Sequence, residues 1–238
     1  MKENKLFFIL ILINIGTSSF GQRMSDIKKY EHYSVISMND TISYHTYSNG
    51  SMDSINSLLL YAQGSSANAL YQIKRQGGKV FVNTTIPFRL NTIPENYLLV
   101  VISKKGIPFS TNGESNFKVP MVYYQNQTLD YRVFQANAVI NDIKNKQSFK
   151  KIIALGHSEG SDVIAKLGTI NENITHFGYF SGGGNSQFSD LITLIRKDVA
   201  KGKISESEAQ GKIDSLLCKF KEIINWPNTS DEFWAGKD

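Results

Sequence analysis

The chain has 238 residues, a formal net charge of +5 and one cysteine, Cys218. That length suits a single domain behind a leader, with enough core to fold without staples. A lone cysteine excludes an intrachain disulfide. Basic residues scattered along the chain, rather than clustered with aromatics, exclude a nucleic-acid footprint. No spacing of His, Cys, Asp and Glu suggests a metal site, and no cofactor fingerprint is present.

Residues 1–21 read as a signal peptide. Lys2 and Lys5 form a basic start, Leu6 to Ile15 an apolar stretch, and Thr17 to Gly21 a small-residue cleavage zone ending before Gln22. About ten apolar residues fall short of the roughly 20 that span a bilayer. No cysteine follows to carry a lipid, and no other segment is long and apolar enough to cross. The expected location is a periplasm or the medium.

The core is expected over 22–186. Tyr33 to Ile36 and Thr41 to Tyr47 have strand character, with Asn39-Asp40 as the turn between them. Ser57 to Ala62 is a buried strand running into Gln63-Gly64-Ser65-Ser66. A glycine loop there can leave a backbone N–H free to face a developing negative charge. Lys79 to Thr85 reads as an inserted strand, and Tyr97 to Ser103 as a central parallel strand. Lys104 to Asn126 reads as a long loop. Asp130 to Ile143 is an amphipathic helix, with Val133, Ala136, Val139 and Ile143 on its apolar side.

The stretch from Lys150 to Gly168 organises the chain. Ile152 to Leu155 is an apolar strand, then comes Gly156-His157-Ser158-Glu159-Gly160, then a helix from Ser161 to Leu167 capped by Gly168. A strand, a G-x-S-x-G turn and a helix form the context of a nucleophile elbow. Both glycines leave room for a tight turn, and Ser158 stands exposed at its tip. Ile174 to Phe180 is the next strand, ending in Gly182-Gly183-Gly184. Alternating strands and helices mean a mostly parallel sheet with helices on both faces.

With the antiparallel start, the Gln63-Gly64-Ser65 loop and the Gly-His-Ser-Glu-Gly-Ser run, the chain resembles the α/β-hydrolase superfamily. The likeness is to its esterase, acyl-hydrolase and serine-peptidase members. It covers roughly 33–184. The resemblance implies acyl transfer to water, on a small-molecule ester, a thioester or a peptide. Ser158 would be the nucleophile. The N–H groups of Glu159 and of Ser65, after Gly64, would form the oxyanion hole. Many members have His where this chain has Gln63; the backbone carries that function, so the departure is mild.

The resemblance breaks after the elbow. The superfamily order is Ser, then an acid, then His, yet His32, His45, His157 and His176 are the only histidines. His157 is fixed beside the nucleophile, and His176 lies at the far end of its strand. Asp190 is the candidate acid; no catalytic histidine is found. Residues 187–238 read as a helical lid: Phe188 to Ala200, then a helix opened by a capping box at Ser205 to Glu208. That second helix, 206–224, is apolar on one side and fits either lid packing or a dimer seam. Gly236-Lys237-Asp238 imitates an acid-bearing turn, but no strand precedes it. The chain therefore reads as the nucleophile half of an exported serine hydrolase, cut short of its acid and base. Two alternatives stand beside it. One is a non-catalytic exported binding protein on a degenerate hydrolase fold. The other is a complete hydrolase whose base is Lys104 or Lys105.

Overall fold

Leu58, Leu59, Leu60 and Tyr61 are buried on both faces of one strand, which places that strand at the sheet's centre. In the computed structural model, which describes residues 24–112, 117–182 and 187–225, this strand is β3 (Ser57–Ala62). It runs parallel to β6 (Tyr97–Ile102) on one side and to β8 (Lys151–His157) on the other. β1 (Glu31–Ser37) and β2 (Asp40–Tyr47) form an antiparallel hairpin that joins β6. β9 (His176–Phe180) pairs parallel with β8, giving the order β1-β2-β6-β3-β8-β9. Two short helices, α1 (Met24–Ile27) and α2 (Met121–Gln125), lie before β1 and after β6 in the chain. The leader, the Gly183-Gly184 turn and the segment from Trp226 onward lie outside the described residues.

Side chains alternate across the sheet. Leu58, Leu60, Leu98, Val100, Ile152 and Ala154 point to one face. There they meet helix α3 (Leu129–Lys146) through Val133, Ala136, Val139, Ile140 and Ile143. They also meet α4 (Glu159–Gly168) through Val163, Ile164 and Leu167. Each such side chain, fully buried, contributes roughly 1.5–3 kcal/mol. Thr128 caps α3 by accepting the Tyr131 N–H at 3.2 Å.

The opposite face carries Leu59, Tyr61, Leu99 and Val101. A second helical layer is expected there, but among the described residues Tyr30, Tyr47, Leu70, Tyr71, Ile86 and Leu90 cover it. Tyr71 and Val82 come from a small second sheet, β5-β4-β7, built of β4 (Tyr71–Gln76), β5 (Lys79–Thr84) and β7 (Ser110–Asn112). The sequence predicts β5 but neither β4 nor β7. The missed signal is Gly77-Gly78, both at positive φ, which closes a two-residue hairpin between two short runs. Likewise the β1–β2 turn is Met38-Asn39, at φ 47° and 61°, and not Asn39-Asp40, because Asp40 already pairs with Ser37.

Gly168 also differs from expectation. It is the last residue of α4 and not a left-handed cap: the cap is Thr169, in a right-handed conformation. A Cβ at Gly168 would lie 2.6 Å from the tip of the Phe177 ring on β9, which would have to swing aside. Beyond β9, α5 (Gln187–Ala200) and α6 (Glu206–Asn225) pair with each other, Phe188 against Phe220 at 4.3 Å. The capping box forms: Ser205 N–H donates to Glu208 at 2.8 Å and Glu208 N–H to Ser205 Oγ at 3.2 Å. On α6, Ala209 is buried while Leu217, Ile223 and Ile224 are exposed. No helix among the described residues is long and apolar enough to cross a membrane.

His45 is buried on β2, with Nε2 2.9 Å from Ser103 Oγ and Nδ1 2.7 Å from His32 Nδ1. Burial, then the nearby charge of His32, pushes its pKa from 6.5 down to about 3. The folded chain thus holds His45 neutral where the unfolded chain protonates it. Stability from this site is present above about pH 6.5 and is lost as pH falls toward about 3. Calorimetry at pH 7 and pH 5 is expected to show a drop in Tm that His45→Asn makes smaller.

Candidate active site

The turn between β8 and α4 is set by steric limits. A Cβ on Gly156 would fall under 3.0 Å from the carbonyl of Gly160, and a Cβ on Gly160 under 3.0 Å from the carbonyl of Ala62. Both obstacles are backbone and cannot move aside. Between these glycines Ser158 takes φ 54° and ψ −127°. That conformation costs a non-glycine residue on the order of 1–3 kcal/mol.

Hydrogen bonds hold the strained turn in place. Ser158 N–H donates to the Phe180 carbonyl at 2.8 Å, and Ser161 N–H to the Ser158 carbonyl at 2.8 Å. Ser161 Oγ, buried, donates to the Gly156 carbonyl at 3.0 Å. From the sequence Ser161 is merely small; in the structure it ties the two ends of the turn together. Glu159 opens α4, so its N–H has no carbonyl one turn back and stands at the helix's positive end.

The Gln63–Ser66 loop lies directly against this turn. A Cβ on Gly64 would be 3.1 Å from Ser158 Cβ. Behind the loop stands a cluster of donors. Arg132 Nη2 bonds the Gln63 carbonyl, and Lys104 Nζ bonds those of Gly64 and Ser66 at 2.6 and 2.8 Å. Tyr123 Oη bonds that of Ser65 at 2.6 Å. Arg132 also faces the Glu159 carboxylate at 3.0 Å, which Gln127 Nε2 bonds at 3.0 and 3.2 Å. The side chain of Glu159 is thus turned into the cluster, while its N–H remains at the turn. Lys104 and Arg132 are only 4% and 7% exposed. Burial, then the charge of Arg132, pushes Lys104 down to about 7.

Ser158, Glu159, Gly64 and Ser65 are therefore brought together, whereas the other candidates are not. Asp190 sits on α5, which packs against α6. His157 is exposed, its Nδ1 3.5 Å from the Cβ position of Gly64. His176 begins β9, level with Ile153, and bonds Thr175 Oγ1 at 2.8 Å. His32 and His45 bond each other on the β1–β2 hairpin. Lys105 pairs with Asp40, and Lys104 is occupied by the loop. Among the described residues, no side-chain hydrogen bond to the Ser158 hydroxyl is present. The long 104–126 segment contributes Lys105, Ile107, Pro108 and Phe117 to a hollow of about 450 Å³.

Sequence reasoning missed Arg132, Tyr123 and Gln127. Arg132 could have been found: it stands in register with Ala136, Val139 and Ile143 on the apolar stripe of α3, where a guanidinium needs buried acceptors.

Removing the strain at Ser158 stabilises the fold. Ser158→Gly is expected to gain about 1 kcal/mol in urea unfolding, because glycine tolerates the conformation. Gly160→Ala is expected to lose more than about 3 kcal/mol or fail to fold, because its methyl would meet the β3 end.

No protein-family model matches the sequence, and no curated protein matches it. Solved structures do overlap it. A cold-adapted esterase from an Arctic intertidal metagenomic library is 13% identical, covering 70% of this chain and 66% of its own, with a TM-score of 0.44. A Pyrococcus furiosus esterase is 13% identical, with 66% and 53% covered and a TM-score of 0.41. A puromycin-hydrolysing peptidase of Mycobacterium tuberculosis is 11% identical, with 68% and 24% covered and a TM-score of 0.48. The chain thus spans between about a quarter and two thirds of the length of these structures. Overlaps of this size do not bear on chemistry. The mostly parallel sheet, the strained serine between β8 and α4, and the glycine loop after β3 together give the described residues the fold of an α/β-hydrolase core.

Proposed function

We propose that the chain is an exported serine hydrolase that transfers an acyl group to water through an ester on Ser158. One observation carries this reading: a non-glycine residue at φ 54° and ψ −127°, wedged between two obligatory glycines and beside the Gly64 loop. Backbone strain of this kind clusters at active sites, and here it presents the half-buried Ser158 at the tip of the turn. The chemistry follows from the neighbours. Ser158 Oγ attacks the carbonyl carbon as its proton passes to a solvent or buffer base, because no described side chain bonds the hydroxyl. The carbonyl oxygen gains the negative charge and lies between the N–H groups of Glu159 and Ser65. The intermediate collapses with loss of the alcohol, thiol or amine, and water releases the acid from the enzyme. Small esters, thioesters and peptides are the substrate class; the esterase and peptidase titles of the overlapping structures describe those proteins.

The absence of a hydrogen bond to the Ser158 hydroxyl among the described residues favours a second reading, a binding protein that keeps the turn without the reaction. The two readings differ in one property. An oxyanion hole and substrate binding retain roughly 10³-fold catalysis over water even without a base. Under the hydrolase reading, a fluorophosphonate adds one adduct to the chain by intact mass, at Ser158. Imidazole in the buffer, standing in for the base, accelerates it, and Ser158→Ala abolishes it. A folded chain that gains no adduct at any imidazole concentration is the binding protein.

A further inference from the structure

Four consecutive carbonyls, Gln63 to Ser66, are all taken by one cluster of donors. Arg132 comes from α3, Lys104 from the end of β6, and Tyr123 from α2. Lys104 Nζ also stands 5.6 Å from the centre of the Tyr123 ring. Every peptide bond here is trans, so a carbonyl held on one side turns the next residue's N–H to the other. With the Gly64 carbonyl tied to Lys104, the Ser65 N–H faces away from the cluster. Ser158 lies against that loop, its Cβ 3.1 Å from the Cβ position of Gly64.

Resting on the reading of Ser158 as a nucleophile, we infer that Lys104, Arg132 and Tyr123 are positioning residues that set the oxyanion hole from behind. They hold the loop's carbonyls so that its N–H groups face the oxygen of the reacting acyl group. Arg132, through Glu159, also ties the loop to the residue that supplies the other N–H. The arrangement explains two buried cations. Arg132 has the Glu159 carboxylate, whereas the hydrogen bonds of Lys104 go to backbone carbonyls. A buried ammonium spent on two loop carbonyls is costly for a role in packing alone.

The clamp is also sensitive to pH. Burial brings Lys104 down to about 7, and loss of its proton weakens both charge-assisted bonds. The groups facing it or its loop are Arg132 from α3, Glu159 from α4, Tyr123 from α2 and His157 from β8. His45, behind Ser103, is held neutral. Arg132 stays charged throughout, and burial pushes the Tyr123 phenol up.

NMR order parameters of the loop amides in the full chain read the clamp without relying on activity. Lys104→Met is expected to lower them at Gly64, Ser65 and Ser66 from about 0.85 to below about 0.6, while β3 and β6 amides keep theirs. Phosphonylation of Ser158 is expected to slow about 100-fold, the loss expected of one oxyanion donor. Tyr123→Phe, a milder change, is expected to move both in the same direction. With His157→Asn as background, the order of the loop amides falls between pH 6 and 8.5 when Lys104 is present and stays level in Lys104→Met. The clamp is overturned if loop amides respond no more than sheet amides in either variant, or if both variants label at the wild-type rate. If the loop responds but wild-type protein never labels, the clamp stands and the hydrolase reading falls.

Discussion

Backbone-to-backbone contact at one point governs this molecule. The start of α4 approaches the ends of β3 and β8 so closely that neither Gly156 nor Gly160 has room for a methyl group. The geometry near Ser158 is a consequence of that approach. It forces the serine into positive φ, sets Glu159 as the first residue of α4, and brings the Gly64 loop alongside. The hydrophobic layer beneath supplies the force: Val163, Ile164 and Leu167 anchor the helix against β3 and β8. Ser161 and the Phe180 carbonyl then hold the turn from the β9 side.

A second layer of structure opposes the usual economy of a core. Lys104, Arg132 and Gln63 are buried behind the loop, and the Gln63 carboxamide has no hydrogen-bond partner among the described residues. A pure packing solution would place apolar groups there. The polar cluster provides direction instead, because donors from three elements fix four adjacent carbonyls. Strain at Ser158 and buried charge at Lys104 both lower stability, and both adjoin the Gly64 loop. Departures from local preference that converge on one place are what the proposed active site would require.

Much of this was legible in the sequence, for physical reasons. β3 and β6 are short apolar runs because the sheet buries them on both faces, β8 is one with its second face half-buried, and the elbow is visible because its sterics demand two glycines four residues apart. The capping box at Ser205 is a local device and was readable as such. Other features required the fold. The clamp joins positions 63–66, 104, 123 and 132, which no spacing rule connects. Gly168 has the form of a helix cap, yet it closes no left-handed turn and faces the Phe177 ring, brought over by the pairing of β9 with β8. The cover of the second face was missed because β4 and β7 are short, half-exposed strands with no apolar run to reveal them.

The central claim is that the N–H groups of Glu159 and Ser65 face one point beside Ser158. A crystal structure of the Ser158 phosphonate adduct tests it most directly, since the phosphoryl oxygen stands where the oxyanion would. The account predicts that oxygen at about 2.7–3.1 Å from both nitrogens, with the Gly64 carbonyl still on Lys104. A phosphoryl oxygen turned to solvent, or a loop flipped so that a carbonyl faces Ser158, would contradict it.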